Sequence, residues 1–298
     1  MAKTPPTVSL VLGSGGARGL AHIGVIEWLE AQGFRIVSIA GASMGALIGG
    51  IYAAGKLDLY RDWVVELERM DVLRLLDLSF GSNGLIKGDR VIGVLRELIG
   101  ECDIEGLPIA FTAVATDLDR QREVWLNRGP LFDAIRASIA IPTVFTPVVR
   151  EGRTLVDGAV SNPIPIAPTL SDPSDITIAV NVNGKEEPLL RTAPAPPAVP
   201  ETRRHKVIAE FLETVQQVVA RREEPAPDLF DVVARSMDTM QNAMSRFQLA
   251  AYSPDAVVEV PCNACAFFEF WRARELIAIG RERAGRALAG LVASARPG

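Results

Sequence analysis

Histidine is nearly absent from this chain, with two among 298 residues, at positions 22 and 205. Any chemistry that runs on imidazole therefore has only these two candidates. Cysteine is scarce as well. Cys102, Cys262 and Cys265 are too few for a disulfide framework in a chain this long, which points to a reducing compartment. Cys262 and Cys265 have C-x-x-C spacing, but no second pair completes a zinc site and no thioredoxin-like setting surrounds them. No metal and no cofactor is expected. Basic charge is not in excess: 31 Lys and Arg stand against 36 Asp and Glu, a net charge of -5. That balance argues against a general nucleic-acid binder, which needs a basic surface to neutralise phosphates. No apolar stretch of signal-peptide length follows Met1. One uncharged window, between Arg35 and Lys56, is long enough for a membrane span. Gly41, Gly45, Gly49, Gly50 and Gly55, with Ser38 and Ser43, break it into strand, turn and helix. The expected location is cytoplasmic, peripheral to a membrane at most.

What the chain does have is apolar material, 48% of its residues, enough for a large core. Val8–Leu12 reads as a buried strand that ends in Gly13-Ser14-Gly15-Gly16. A helix over Leu20–Gln32 follows, stopped by Gly33, and then a strand over Ile36–Ala40 and a helix that stops at Gly55. Alternation of this kind implies an α/β fold with a mainly parallel sheet and covered faces. Further helices are expected over 59–76, 89–98 and 131–138, and strands over 109–116, 123–126 and 176–182. Val148–Arg150 and Thr154–Val156 bracket Glu151-Gly152-Arg153 as a hairpin. We expect one domain over 1–298: a catalytic core at about 7–183, a Pro-rich linker at 184–202, and a helical C-terminal region at 203–298 with helices over 207–222, 229–249 and 271–291. Amphipathic stretches at Phe211–Val219 and Phe230–Met244 fit peripheral membrane contact; core packing or a homodimer fits them equally.

The segment richest in chemistry is Gly41-Ala42-Ser43-Met44-Gly45. It is a G-x-S-x-G pentapeptide placed between an apolar strand and a helix, as a nucleophile elbow must be. Glycine is needed two places before and after the serine because a Cβ there would clash. Ser43 then projects from the turn as the candidate nucleophile, next to the positive end of the following helix. Acyl transfer also needs donors for the oxyanion, and Gly15, Gly16 and Arg18 at a helix start are the candidates. A dinucleotide loop is excluded, since the required G-x-G-x-x-G has arginine at its last position.

Three residues are weighed as the base for Ser43. His22 lies on the helix after the glycine loop and reads as a surface or packing residue. His205, in Arg203-Arg204-His205-Lys206, reads as part of a solvated basic patch, although Ser43, Asp157 and His205 follow the Ser…Asp…His order of α/β-hydrolases. Asp157 ends a strand and is followed by Gly158 and Ala159, which suits a site at a strand end. It equally suits an aspartate bonded to its own turn.

Gly15-Gly16-Ala17-Arg18-Gly19, Gly41-Ala42-Ser43-Met44-Gly45 and Asp157-Gly158-Ala159, in that order, resemble the three signatures of patatin-like phospholipases. The family loop is G-G-G-x-[RK]-G, and this chain has Ser14 at its first position. The resemblance spans about Val8 to Val182, with Phe267–Gly280 similar to the closing helix region of bacterial members. It implies a three-layer α/β/α fold with a helical C-terminal region and a Ser43–Asp157 dyad. It also implies metal-free cleavage of lipid acyl esters. An acyltransferase on the same fold, or a lipid-binding regulatory protein with little catalysis, would carry the same elbow.

Overall fold

The computed structural model describes residues 5–75, 88–188 and 229–295. In chain order its elements are β1 (Thr7–Leu12), α1 (Ala21–Ala31), β2 (Arg35–Ala42), α2 (Met44–Ala53), α3 (Leu57–Val64), α4 (Arg69–Leu75), α5 (Asp89–Ile99), β3 (Ala110–Asp117), β4 (Arg122–Leu126) and α6 (Leu131–Ser138). They continue with β5 (Val148–Arg150), β6 (Arg153–Asp157), β7 (Ile176–Gly184), α7 (Leu229–Tyr252), β8 (Ala256–Pro261), α8 (Ala273–Ala287) and α9 (Ala289–Ala295). The chain divides into two compact units, Met1–Glu187 with Thr239–Gly298, and Pro188–Asp238. Of the second unit, the described residues are Pro188 and the first turns of α7. His205, the Pro-rich stretch beyond 188 and the expected helix over 207–222, including Phe211–Val219, lie outside the described residues.

The larger unit is built on an eight-stranded sheet of order β5-β6-β3-β2-β1-β7-β8, with β4 also paired to β3. Strands β3, β2, β1, β7 and β8 are parallel, and the helices that connect them flank the sheet in three layers. The central strand shows why. Val8, Leu10, Val11 and Leu12 of β1 have no exposed surface, so both faces of that strand must be covered. Each such side chain contributes about 1.5–3 kcal/mol by leaving water. The window between Arg35 and Lys56 is the buried heart of this sheet, as β2 and α2. No helix among the described residues is long and apolar enough to cross a membrane.

Three details depart from the sequence expectation. The helix expected over 59–76 is two, because Asp71 turns back to accept the Glu68 N–H at 3.1 Å and starts α4 afresh. The helix expected over 271–291 likewise breaks at Leu288 into α8 and α9. Strand β8, Ala-Val-Val-Glu-Val-Pro, was not anticipated; it extends the sheet beside β7. The 148–156 hairpin forms as expected, with Glu151 and Gly152 both left-handed at φ 52° and 68°, the turn that matches strand twist.

Candidate active site

The register along β3 determines what meets at the site. Ala113 and Val114 pair with β2 on one edge and with β4 on the other. Ala115, Thr116 and Asp117 pair with β4 and with β6, so β6 must lie on the edge that β2 occupies lower down. Parallel β2 ends at Ala42, opposite Val114, and antiparallel β6 ends at Asp157, opposite Ala115. The two strands therefore run head to head and stop at adjacent positions. Ser43 and Asp157, 114 residues apart in sequence, are brought together by that register.

Ser43 is buried, with φ 55° and ψ -122°, a backbone conformation that strains an ordinary residue by about 1–3 kcal/mol. The elbow closes only with glycine on either side. A Cβ on Gly41 would stand 2.4 Å from the Gly45 carbonyl, and one on Gly45 would stand 1.9 Å from the Leu12 carbonyl oxygen. The Ser43 carbonyl starts α2, accepting the N–H groups of Ala46 and Leu47. Its own N–H donates to Ser138 Oγ at 3.0 Å, and Ser138 Oγ donates in turn to the Val114 carbonyl at 2.6 Å.

Asp157 is held by its backbone and by one carboxylate oxygen. Its N–H donates to the Ala140 carbonyl at 2.9 Å, and its carbonyl accepts the Thr116 hydroxyl at 2.9 Å. Carboxylate oxygen Oδ1 accepts the Ala159 N–H at 2.8 Å and caps the turn Gly158–Val160. The turn-bonding expected of an Asp-Gly pair is thus realised, on one oxygen. Oδ2 is buried and meets no partner in hydrogen-bonding geometry among the described residues. Burial pushes the carboxyl up to about 7, against the opposing pull of the Ser43 hydroxyl and the Ala159 N–H. Gly158 lets β6 come this close, since a Cβ there would stand 2.1 Å from the Val114 carbonyl oxygen.

The glycine loop has its N–H groups sorted. Those of Gly13, Ser14 and Ala17 donate to the carbonyls of Val180, Pro163 and Phe267, while those of Gly15 and Gly16 make no hydrogen bond among the described residues. Arg18 does something other than supply charge at the nucleophile. Its guanidinium bonds go to the Val182 carbonyl (3.1 Å), Asn183 Oδ1 (2.7 Å) and the carbonyls of Cys262 and Cys265 (3.3 and 3.5 Å), none to Ser43. Asn183 passes the link on to the Ser14 carbonyl. Arg18 is a clamp on the loop.

His22 is fully buried, not on a surface, and its Nε2 bonds the Gly13 carbonyl at 2.8 Å. Burial lowers its pKa to about 4, so the ring is neutral and Nε2 carries the donated proton. Cys262 and Cys265 are free thiols, with Cys265 pushed up to about 11 by burial. Beside Ser43 and Gly16 opens an apolar cleft, lined by Leu47, Tyr60, Leu95, Phe145 and Phe267 among others.

Ser138 is the site residue that sequence reasoning missed. A faint signal existed: Leu131, Ala134, Ile135 and Ser138 share one helical stripe, and a hydroxyl in an apolar stripe needs a specific partner. Which partner is set by tertiary structure alone.

Residues 10–170 match the family model described as patatin-like phospholipase. An uncharacterized NTE family protein of Mycobacterium bovis is 40% identical, with 95% of this chain and 91% of that protein aligned. A lysophospholipase of Emericella nidulans is 32% identical over 60% of this chain and 12% of its own length. The neuropathy target esterase of Drosophila persimilis is 29% identical over 54% of this chain and 12% of its own. With a family model that covers over half of its residues and a 40% identical relative aligned almost end to end, the chain belongs to the patatin-like phospholipase family, alongside NTE proteins.

Proposed function

We propose that this protein hydrolyses lipid acyl esters, lysophospholipids foremost, with Ser43 as nucleophile and Asp157 as its base. The observation that carries the reading is the head-to-head meeting of β2 and β6, which brings a strained, buried serine close to a buried carboxylate whose Oδ2 is not taken up by its own turn, beside an apolar cleft. The apolar cleft beside Ser43 offers a place for the acyl chain of such a substrate. The named activity of the Emericella nidulans relative supports the same substrate class.

The chemistry follows from the groups in place. Asp157 Oδ2 takes the Ser43 hydroxyl proton as Oγ attacks the ester carbonyl. The negative charge that develops on the carbonyl oxygen falls to the unpaired N–H groups of Gly15 and Gly16, aided by the N-terminus of α2. Collapse breaks the ester bond, and the leaving alcohol takes the proton from Asp157. Water then attacks the acyl-serine, giving its proton to Asp157, and the fatty acid leaves as Ser43 is reprotonated. A base with a pKa of about 7 is matched to work near neutrality. Since it must be ionised in the free enzyme, kcat/KM should rise with pH through about 7 and then level.

The test is hydrolysis of a lysophosphatidylcholine and of a p-nitrophenyl ester by wild type, Ser43→Ala and Asp157→Asn. Each substitution should lower kcat by at least about 10³-fold, in line with loss of a nucleophile or its base. Activity that survives in Asp157→Asn but not in His205→Ala would move the base from Asp157 to His205.

A further inference from the structure

The loop that carries Gly15 and Gly16 is stitched to a segment some 250 residues away, between β8 and α8. Arg18 reaches the carbonyls of Cys262 and Cys265, and the Ala17 N–H donates to the Phe267 carbonyl at 2.9 Å. Phe267 then does two things with its ring. It presses on Gly16 so closely that a Cβ there would lie 2.7 Å from Cδ2 and 2.8 Å from Cε2. It also lines the apolar cleft, together with Phe268, against which it packs edge-on at 4.9 Å between ring centres, and with Phe270.

One side chain therefore touches both the place for an acyl chain and the peptide whose N–H is free for an oxyanion. Gly16 is left-handed, at φ 56°, and has no side chain of its own to hold that peptide in line. Contact with Phe267 supplies the restraint. Phe267 is itself only half-buried, and its ring forms part of the cleft wall. Binding energy from a part of the substrate remote from the reacting bond raises kcat when it is used to align groups at that bond.

We propose that Phe267 is a positioning and specificity-determining residue: an acyl chain seated in the cleft holds its ring against Gly16 and so aligns the Gly15–Gly16 amides, making turnover itself depend on chain length. This rests on Ser43 being the nucleophile and those amides the oxyanion donors. In that case longer acyl chains raise kcat as well as lowering KM, and Phe267 is the reason for the first effect.

The experiment compares kcat and KM for p-nitrophenyl acetate, butyrate and octanoate in wild type, Phe267→Leu and Phe267→Ala, each rate divided by that of alkaline hydrolysis of the same ester. Expected is a wild-type octanoate-to-acetate ratio of kcat of about tenfold, a fraction of the roughly 10²-fold attached to a whole oxyanion donor. It should fall close to one in Phe267→Ala and lie between in Phe267→Leu, a variant that keeps the cleft wall apolar should the alanine protein fold poorly. A wild-type kcat that ignores chain length would overturn the proposal. So would a dependence that persists in Phe267→Ala and Phe267→Leu while KM alone changes, since Phe267 is then merely wall. Labelling of Ser43 by a small fluorophosphonate separates the two levels. If wild type is not labelled, the nucleophile assignment fails first; if it is labelled and the ratios do not move, only the role of Phe267 fails.

Discussion

Removing the proposed base should make the protein more stable at pH 8, and the gain should fade in acid. The reasoning begins with burial. Asp157 is buried, and its carboxyl stands at about 7 in the fold against an ordinary value of 3.8. Its folded pKa is raised, so the neutral acid is the form the fold accommodates without strain. The unfolded chain ionises the group from pH 3.8 upward, and the folded chain resists until about 7. Stability is therefore highest below 3.8 and declines as pH rises through that window. At 1.36 kcal/mol per pH unit, the ionised carboxylate costs the fold about 4 kcal/mol at pH 8 and about 1 kcal/mol at pH 4.5. Asparagine keeps an acceptor for the Ala159 N–H in place of Oδ1, can donate to Ser43 Oγ from the position of Oδ2, and carries no charge. Asp157→Asn should then exceed wild type by up to about 4 kcal/mol at pH 8, with the advantage reduced by about 3 kcal/mol at pH 4.5. Reversible urea unfolding of both proteins at the two pH values measures it. Titration of His22 is common to both and cancels in the difference. A variant less stable than wild type at pH 8, or an advantage that does not change with pH, would refute the claim that burial of this carboxylate is what raises it.

Two other substitutions test the surroundings of the dyad. His22 has its pKa lowered to about 4 from 6.5, so its contribution is fully present above 6.5 and lost as pH falls toward 4; wild type should lose about 3 kcal/mol more than His22→Leu between pH 7 and pH 4, again by urea unfolding, and equal losses would count against a neutral buried ring. Ser138→Ala leaves the Ser43 N–H and the Val114 carbonyl without the hydroxyl that joins them, so stability should drop by about 1–3 kcal/mol, with a roughly tenfold lower kcat at unchanged KM; labelling of Ser43 at the wild-type rate would show that the elbow holds its shape without that bond.

Much of this site was legible because its glycines are local demands. Gly41 and Gly45 stand where the backbone of the turn leaves no room for a Cβ, and a pentapeptide between a strand and a helix states that requirement within five residues. The strands and helices that carry β1, β2 and β6 were legible for the same reason, as apolar runs closed by Gly and turn residues. The resemblance implied the pairing of Ser43 with Asp157, but what no local pattern spells out is whatever depends on register. That Asp157 stops beside Ser43 follows from Ala115, opposite Asp157, being next to Val114, opposite Ala42, and no pattern within either segment encodes that pairing. The clamp made by Arg18 eluded the sequence likewise. Its charge near a glycine loop suggested help for an oxyanion, but its acceptors lie on β7 and in the 262–265 segment, which only the folded sheet brings near.

Two buried titratable groups near the glycine loop and the elbow, Asp157 and His22, differ as bases on physical grounds, while His205 lies outside the described residues. In water an imidazole is the stronger base by more than two pH units. Burial acts in opposite senses on the two groups, because it disfavours the charged form of each: the anion of a carboxylic acid and the cation of an imidazole. Asp157 is raised to about 7 and His22 lowered to about 4, so that within this protein the carboxylate holds a proton more strongly than the histidine does. His22 is moreover committed, its Nε2–H bonded to the Gly13 carbonyl, whereas Asp157 Oδ2 meets no partner in hydrogen-bonding geometry among the described residues. The inversion explains how a serine could be served by a carboxylate with an unprotonated histidine close by. The burial that weakens His22 as a base is what strengthens Asp157, the base proposed for Ser43.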